Sequence, residues 1–210
     1  MKKQKTLTEY QREKINQTVR EILGEEYTEL ELIQLSIKED AVEEIADISC
    51  RVLFEKKKLT IKGSGKGPID ALFTALVKKF SPDYCSLENL YFARFSVEAD
   101  IDKSLTYPKA DAIVEATLEI DNELSSLLFR ERASSISVVS AKVALSAIEH
   151  FINAEKCVVK VHNGLEHAIK RRRGDMINIY TQQMTEIVKN VSYEKVIKRL
   201  KNESKKNTAT

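Results

Sequence analysis

The spacing of apolar residues changes period several times along the chain, and each change marks an element. Ile15, Val19, Ile22 and Leu23 recur at helical spacing, which is the apolar stripe of an amphipathic helix. Thr8 followed by Gln11 has the form of a capping box, and Gly24 is a suitable C-terminal stop. The period then falls to two. Ile33, Leu35 and Ile37 alternate with polar residues, as do Ile48, Cys50, Val52 and Phe54, and then Leu59 and Ile61. These segments are expected to be strands with one buried face. Gly63-Ser64-Gly65-Lys66-Gly67-Pro68 ends the third strand and opens a helix. Pro68 suits the first helical position, and Asp70 lies in the first turn, where the helix dipole favours a carboxylate. Ile69, Leu72, Phe73, Leu76 and Phe80 form the buried stripe, and Ser81-Pro82 stops the helix.

The same order then recurs. Ala93, Phe95 and Val97 alternate like the first strand, Val114, Ala116, Leu118 and Ile120 like the second, and Leu128 takes the place of Ile61. After a polar loop from Arg130 to Ser135, a helix carries Ile136, Val139, Val143, Ala147 and Phe151 on one side. Ile61 and Leu128 are 67 apart, as are Ile69 and Ile136; the second strands match at 66 and the first at 60. This spacing predicts an internal duplication of a βββα unit, two copies of which can share one core. The fold class is therefore α+β, with helices added at both ends. Residues 1–26 form an N-terminal helix, 27–83 and 84–155 the two repeats, and 156–210 a C-terminal helical extension.

The extension differs in charge. Its thirteen Lys and Arg against five Asp and Glu give +8; the whole chain carries +2, so the rest carries 2 − 8 = −6. A basic appendage on an acidic body follows. Cys157, Val158, Val159 and Val161 fit a short strand or the tail of the preceding helix. A helix is expected after Asp175, with Ile177, Tyr180, Met184, Ile187 and Val191 on one face. Ser192 caps a last short helix bearing Val196, Ile197 and Leu200, and Asn202 to Thr210 are expected to fray. The composition, 42% apolar and 31% charged, is that of a soluble globular protein. No stretch reads as a membrane span, and the first residues lead into polar sequence, so a cytoplasmic location is expected. Cys50, Cys85 and Cys157 are odd in number and far apart, which argues against a disulfide framework, and Cys50 reads as a small buried hydrophobe.

The glycine-rich segment invites a nucleotide-binding reading, which fails. Counting back from Gly65-Lys66, the first glycine of a Walker loop falls on Thr60, and Gly67 stands where a hydroxyl residue is needed. A dinucleotide fingerprint needs parallel strand-helix-strand order, which the hairpin-like spacing does not supply. The longer string from Gly65 to Leu76, Gly-Lys-Gly-Pro-Ile-Asp-Ala-Leu-Phe-Thr-Ala-Leu, resembles the Gly-x-Gly-Pro-hydrophobic-Asp-Ala signature of one regulatory domain. That domain belongs to 2-isopropylmalate synthases and their citramalate and homocitrate-type relatives. Ser135 to Ala144 is similar to its second loop and helix, and the resemblance spans roughly Tyr27 to Glu155.

The resemblance implies an intertwined homodimer that binds an end-product amino acid, such as leucine, between its lobes and so regulates a catalytic barrel. By position it carries over an effector site of Gly65, Gly67, Pro68, Asp70 and Ala71 in the first loop, with Ser134, Ser135 and Ser137 in the second. Backbone N–H groups at two helix starts suit a carboxylate, and an acidic or hydroxyl side chain suits an ammonium group. A separate catalytic synthase chain is the implied partner, in branched-chain amino-acid biosynthesis. The chain contains no His-x-His pair of the kind that binds metal in the family's barrel. No catalytic residue, cofactor or metal is expected, and the chain is expected not to be an enzyme. His150, His162 and His167 match no zinc pattern and read as exposed or capping residues. Asp100, Asp102 and Asp111 read as loop or edge acids, and the serines as helix caps. Lys170-Arg171-Arg172-Arg173 reads as a solvated turn, without the interleaved aromatics of a nucleic-acid surface. The alternative is a ligand-free dimeric scaffold that holds a protein or nucleic-acid partner through its basic C-terminal helices.

Overall fold

A computed structural model describes residues 6–7, 9–101, 112–121, 126–188 and 193–207. Strand β1 (Thr6–Leu7) and helix α1 (Glu9–Leu23) precede strands β2 (Leu30–Asp40), β3 (Ile45–Phe54) and β4 (Lys57–Gly65) and helix α2 (Pro68–Phe80). Strands β5 (Tyr91–Ile101), β6 (Ala112–Asp121) and β7 (Ser126–Ala133) follow, then helices α3 (Ile136–Lys170), α4 (Gly174–Ile187) and α5 (Tyr193–Asn207). The fold is α+β, and the order βββα occurs twice. One sheet runs β2-β3-β4, antiparallel throughout. The other runs β1-β7-β6-β5, where β1 pairs parallel to β7 at Thr6 and Leu7. The inner faces of both sheets and the facing sides of α2 and α3 form one continuous apolar core.

Both first strands carry a β-bulge that the simple alternation misses. In β2 the register shifts between Leu32 and Gln34, so Leu32, Leu35 and Ile37 face the core while Ile33 turns out, 42% exposed. The β5 shift lies between Phe92 and Arg94 and leaves Ala93 exposed. Ile33 and Ala93 were both expected to face inward; the extra residue of a bulge reverses the face on which it sits. The two bulges are 60 residues apart, the same offset as the strands that bear them, which is strong evidence of the duplication.

The third strands require a different correction. Ile61 lies opposite Cys50, and the position 66 residues after Cys50, Ala116, lies opposite Glu131. Strand register therefore equates Ile61 with Glu131 and Leu59 with Phe129, an offset of 70, and Leu128 is not the counterpart of Ile61. Leu127 and Phe129 are fully buried while Leu128 points to the other face. The helices start 68 apart, at Pro68 and Ile136, so β4 continues two residues further than β7 in the shared register, and each is then followed by a two-residue connection, Lys66-Gly67 and Ser134-Ser135.

Cys157 to Val161 belong to the helix, not to a strand, and α3 continues unbroken to Lys170. At 35 residues it is about 52 Å long. By length and composition it would cross a membrane, contrary to the expectation that no stretch could, but 61% of its most apolar 18-residue window is buried inside the fold. Its second half is the centre of a second apolar cluster, in which Val19 and Leu23 of α1, Ile187 of α4, and Val196 and Ile197 of α5 meet Ala154, Cys157, Val158 and Val161. Gly164 lets α4 close on α3: a Cβ there would come within 2.7 Å of the Tyr180 ring. The last helix extends to Asn207, beyond the point where fraying was expected. Thr8 and Ser192, the expected caps, lie outside the described residues.

A polar seam joins α1 and the following turn to α3. Asn153 donates to the Thr28 carbonyl at 2.7 Å and accepts from the Thr28 N–H at 2.8 Å. Glu149 accepts from the Tyr27 hydroxyl at 2.8 Å and from the Leu30 N–H at 2.9 Å. His150, expected to be exposed or capping, is only 3% exposed; its Nδ1 lies 2.6 Å from Asn16 Oδ1, and its ring packs edge-on to Phe129 and Phe151.

Burial, with the Arg12 guanidinium adding to it, pushes the His150 pKa down to about 3. Between the ordinary imidazole value of 6.5 and about 3, the unfolded chain takes up a proton that the folded chain refuses. This stabilisation is whole above pH 6.5 and is lost as pH falls towards 3, at up to about 1.4 kcal/mol per pH unit. Glu149, whose pKa burial raises, contributes in the opposite sense just above the ordinary carboxylate range. We expect denaturant unfolding to lose stability from pH 7 to pH 5 in the wild type and to show a flatter dependence in His150→Gln. Equal slopes in the two proteins would contradict this account of His150.

Candidate functional site

The first helix start owes its form to two glycines at which the helix comes close to the strand. A Cβ on Gly63 would stand 2.6 Å from the Ala71 carbonyl oxygen and 2.6 Å from the Ala75 Cβ. One on Gly65 would stand 2.6 Å from Asp70 Oδ2 and 3.0 Å from the Ala71 Cα. Both glycines remain in β4, which continues further than the turn-forming sequence suggests, and they let α2 lie directly on the strand. Gly67 then has φ +89°, a conformation that L side chains rarely adopt. Pro68 occupies the first turn of the helix, Asp70 Oδ2 accepts the Lys66 N–H at 3.1 Å, and Ala71 is fully buried against the glycines. Each residue of the string from Gly65 to Ala71 that resembled a signature thus has a geometric task.

The second helix start is built differently. Ser135 stands at the cap position with extended backbone, but its hydroxyl makes no capping bond; only its carbonyl accepts, from the Val139 N–H at 2.9 Å. The expectation of a capping side chain there is not met. Ser134 and Ser137 are exposed, and Ile136 is exposed at 60%.

The two starts converge on one apolar cleft of about 180 Å³. Leu35 and Ile37 of β2 face it together with Phe95 and Val97 of β5, at the same 60-residue offset. Pro68, Ile69 and Leu72 of α2 correspond to Ile136, Ser137 and Ser140 of α3, at the 68-residue offset, and Ile48 and Ala141 complete the lining. The cleft is therefore close to symmetric about the axis that relates the repeats. Of the residues singled out in the sequence, Pro68 and Ser137 line it. Gly65, Gly67, Asp70, Ala71, Ser134 and Ser135 do not; Gly65 ends β4, Asp70 and Ala71 lie in the first turn of α2, and Gly67, Ser134 and Ser135 lie in the two connections. Ser140 lines it too, but its hydroxyl donates to the Ile136 carbonyl at 2.7 Å. The residues that sequence reasoning missed are the strand pairs Leu35/Ile37 and Phe95/Val97. Each had been read as core, and only the placing of the α2 and α3 starts beside β2 and β5 leaves them lining a space.

Elsewhere, the chemistry is structural. Among the described residues, no group of three or more His, Cys, Asp and Glu side chains is placed to hold a metal ion. All three cysteines are buried, and burial pushes the thiols of Cys50 and Cys85 up to about 11 and that of Cys157 to about 12. The side chains of Asp100, Asp102 and Asp111 lie outside the described residues. The basic run from Lys170 to Arg173 is an exposed turn between α3 and α4. Arg173 pairs with Asp175 at 2.9 Å and Lys170 with Glu166 at 3.9 Å, which moderates the positive field there.

The glycine geometry has a measurable consequence. Gly63→Ala forces backbone apart and is expected to cost about 1–3 kcal/mol. Gly67→Ala meets no atom within 4 Å and should cost only the strain of a φ +89°, ψ 159° backbone that is nearly confined to glycine, about 1–3 kcal/mol. Urea unfolding of both variants tests these costs, and a neutral Gly63→Ala would show that α2 does not rest on β4 as described. Compared with known proteins, the chain matches the family model of the LeuA allosteric (dimerisation) domain over residues 9–154, from α1 to the middle of α3. No curated protein matches it.

Proposed function

Given that the chain belongs to the LeuA allosteric (dimerisation) domain family, with the regulatory and self-associating role this entails, we propose that it senses an amino acid. The ligand is an apolar, branched-chain amino acid such as leucine. The response is passed to a synthase-type catalytic chain of branched-chain amino-acid biosynthesis, in the cytoplasm. The observation that carries this reading is the near-symmetric apolar cleft on which two helix N-termini converge. An aliphatic side chain is matched to Ile69, Leu72, Phe95 and Val97, and a carboxylate to the free N–H groups at a helix start. Ser137 is the hydroxyl at the cleft. Gly65, Gly67, Asp70 and Ala71 act by shaping the first loop, and Ser134 and Ser135 by shaping the second. Self-association is supported by the outer edges of β2 and β5, which pair with no other strand among the described residues.

A thermal-shift series over the amino acids is expected to raise the melting temperature with leucine, isoleucine or valine and not with aspartate or lysine. Ile136→Asp places a charge at the cleft mouth, at an exposed helix start where a carboxylate is favourable. It should abolish the ligand-induced shift without lowering the melting temperature of the free protein. Asp70→Asn should lower stability by a few tenths to about 1 kcal/mol through the lost dipole interaction and leave the ligand affinity nearly intact. Sedimentation at tens of micromolar should show a dimer. No stabilisation by any amino acid, or an unchanged shift in Ile136→Asp, would remove the cleft as the sensing site.

A further inference from the structure

The cleft between the helix starts is lined almost wholly by hydrocarbon, and among the described residues no acidic or basic side chain lines it. Its polar side chains are Ser137 and Ser140, and the Ser140 hydroxyl already donates to the Ile136 carbonyl at 2.7 Å. The carboxylate closest in sequence, that of Asp70, is committed elsewhere. Its Oδ2 accepts the Lys66 N–H at 3.1 Å and lies 2.6 Å from where a Cβ on Gly65 would stand. Gly65 belongs to β4, at the opposite edge of the sheet from β2, whose Leu35 and Ile37 line the cleft. The charged residues that follow the lining positions in the strands, Lys38 after Ile37 and Glu98 after Val97, alternate to the other face and are exposed.

Donors are present where charged acceptors are not. The helical hydrogen bonds begin with the Ala71 N–H in α2 and the Val139 N–H in α3. Ile69, Ile136 and Ser137, all in the lining, therefore keep N–H groups that no carbonyl of their own helix takes. The dipoles of both helices add partial positive charge at the same end. The cleft is thus electrostatically one-sided. It suits a carboxylate beside a hydrocarbon chain, and it offers an ammonium group no counter-charge, without which burial of a cation is unfavourable.

We propose that the cleft recognises its ligand by the branched hydrocarbon and the carboxylate alone, with the α-ammonium group left in water at the mouth. The ligand class is then the short branched-chain monocarboxylates, in which the amino, 2-oxo and unsubstituted acids of one carbon skeleton are equivalent. A volume of about 180 Å³ lies below the roughly 300–1,000 Å³ of sites for larger ligands, so a short chain fits and a long acyl chain does not. The inference rests on the cleft being the sensing site, and it changes what is sensed. The 2-oxo acid from which transamination forms the amino acid is read together with the amino acid itself.

The test is calorimetric titration of the full chain with four ligands that share one branched chain: leucine, 4-methyl-2-oxopentanoate, 4-methylpentanoate and 3-methylbutan-1-amine. We expect both acids without an amino group to bind at least as tightly as leucine, and the amine to show no saturable binding. Ser137→Asp supplies the missing acid at an exposed position in the first turn of α3, where a carboxylate is favourable, so the free protein should melt as the wild type does. In that variant leucine should bind about tenfold more tightly than 4-methylpentanoate, the worth of one charged hydrogen bond. Three results would overturn the inference while leaving the cleft as the sensing site: leucine binding about tenfold or more tighter than 4-methylpentanoate in the wild type, saturable binding of the amine, or an unaltered preference in Ser137→Asp. If neither leucine nor 4-methylpentanoate binds the wild type, the sensing reading itself fails and this inference with it.

Discussion

The structure depends on one helix being buried from several sides. The first half of α3 closes the core between the two sheets, and its second half is the surface on which α1, α4 and α5 assemble. From His150 to Glu155 every residue is buried, including Asn153 and Glu155. A helix so enclosed must satisfy its polar groups internally, and apart from His150 Nε2 its buried polar side chains do. Glu155 receives the Ser86 N–H at 2.8 Å and the Cys85 N–H at 3.3 Å, while Asn153 both gives to and takes from Thr28. These bonds fix how the chain enters β2 and leaves α2. The apolar content that makes α3 resemble a membrane span is the content needed to serve two cores at once.

The close approach of α2 to β4 is the second constraint, and it explains why a loop that looks built for a ligand is also indispensable to the fold. Gly63 and Gly65 remove side chains that would collide with the helix backbone, Gly67 supplies the left-handed turn, and Asp70 ties the loop through the Lys66 amide. The consequence for function is indirect. With the helix this close to the sheet, Pro68 and Ile69 reach the space between the repeats, where they meet Ile136 and Ser137. The loop residues set the shape, and the residues just inside each helix form the surface that a ligand would touch.

Duplication has also been used unevenly. The bulges at Ile33 and Ala93 and the paired strand residues around the cleft keep the symmetry. The third strands and the connections after them do not: Gly63 and Gly65 end β4 and Gly67 follows, while β7 and the connection after it contain no glycine. The long α3 has no equal in α2, which stops at Phe80. The extension therefore belongs to one repeat only, and it gives the molecule a polar side, lined by the seam from Asn16 to Glu149, that the repeat axis does not reproduce.

Local pattern by itself determined the order of elements, the duplication and the glycine-rich helix start, because periods of two and of 3.6 and the special residues at turns are read from near neighbours. It also placed most inward positions, such as Cys50, Val52, Ala116 and Leu118. It failed at Ile33 and Ala93, since a bulge is decided by the strand opposite, and at Leu128, since register is decided by the ladder and not by the distance to the next helix. The resemblance supplied the family and the two loops of the site. Only the tertiary structure decided which residues line a cavity, because that depends on two sheets and two helices meeting across the repeat axis. Packing likewise made His150 an interior residue, by setting α1 and Phe129 around a side chain whose place in the sequence marks it as neither core nor surface.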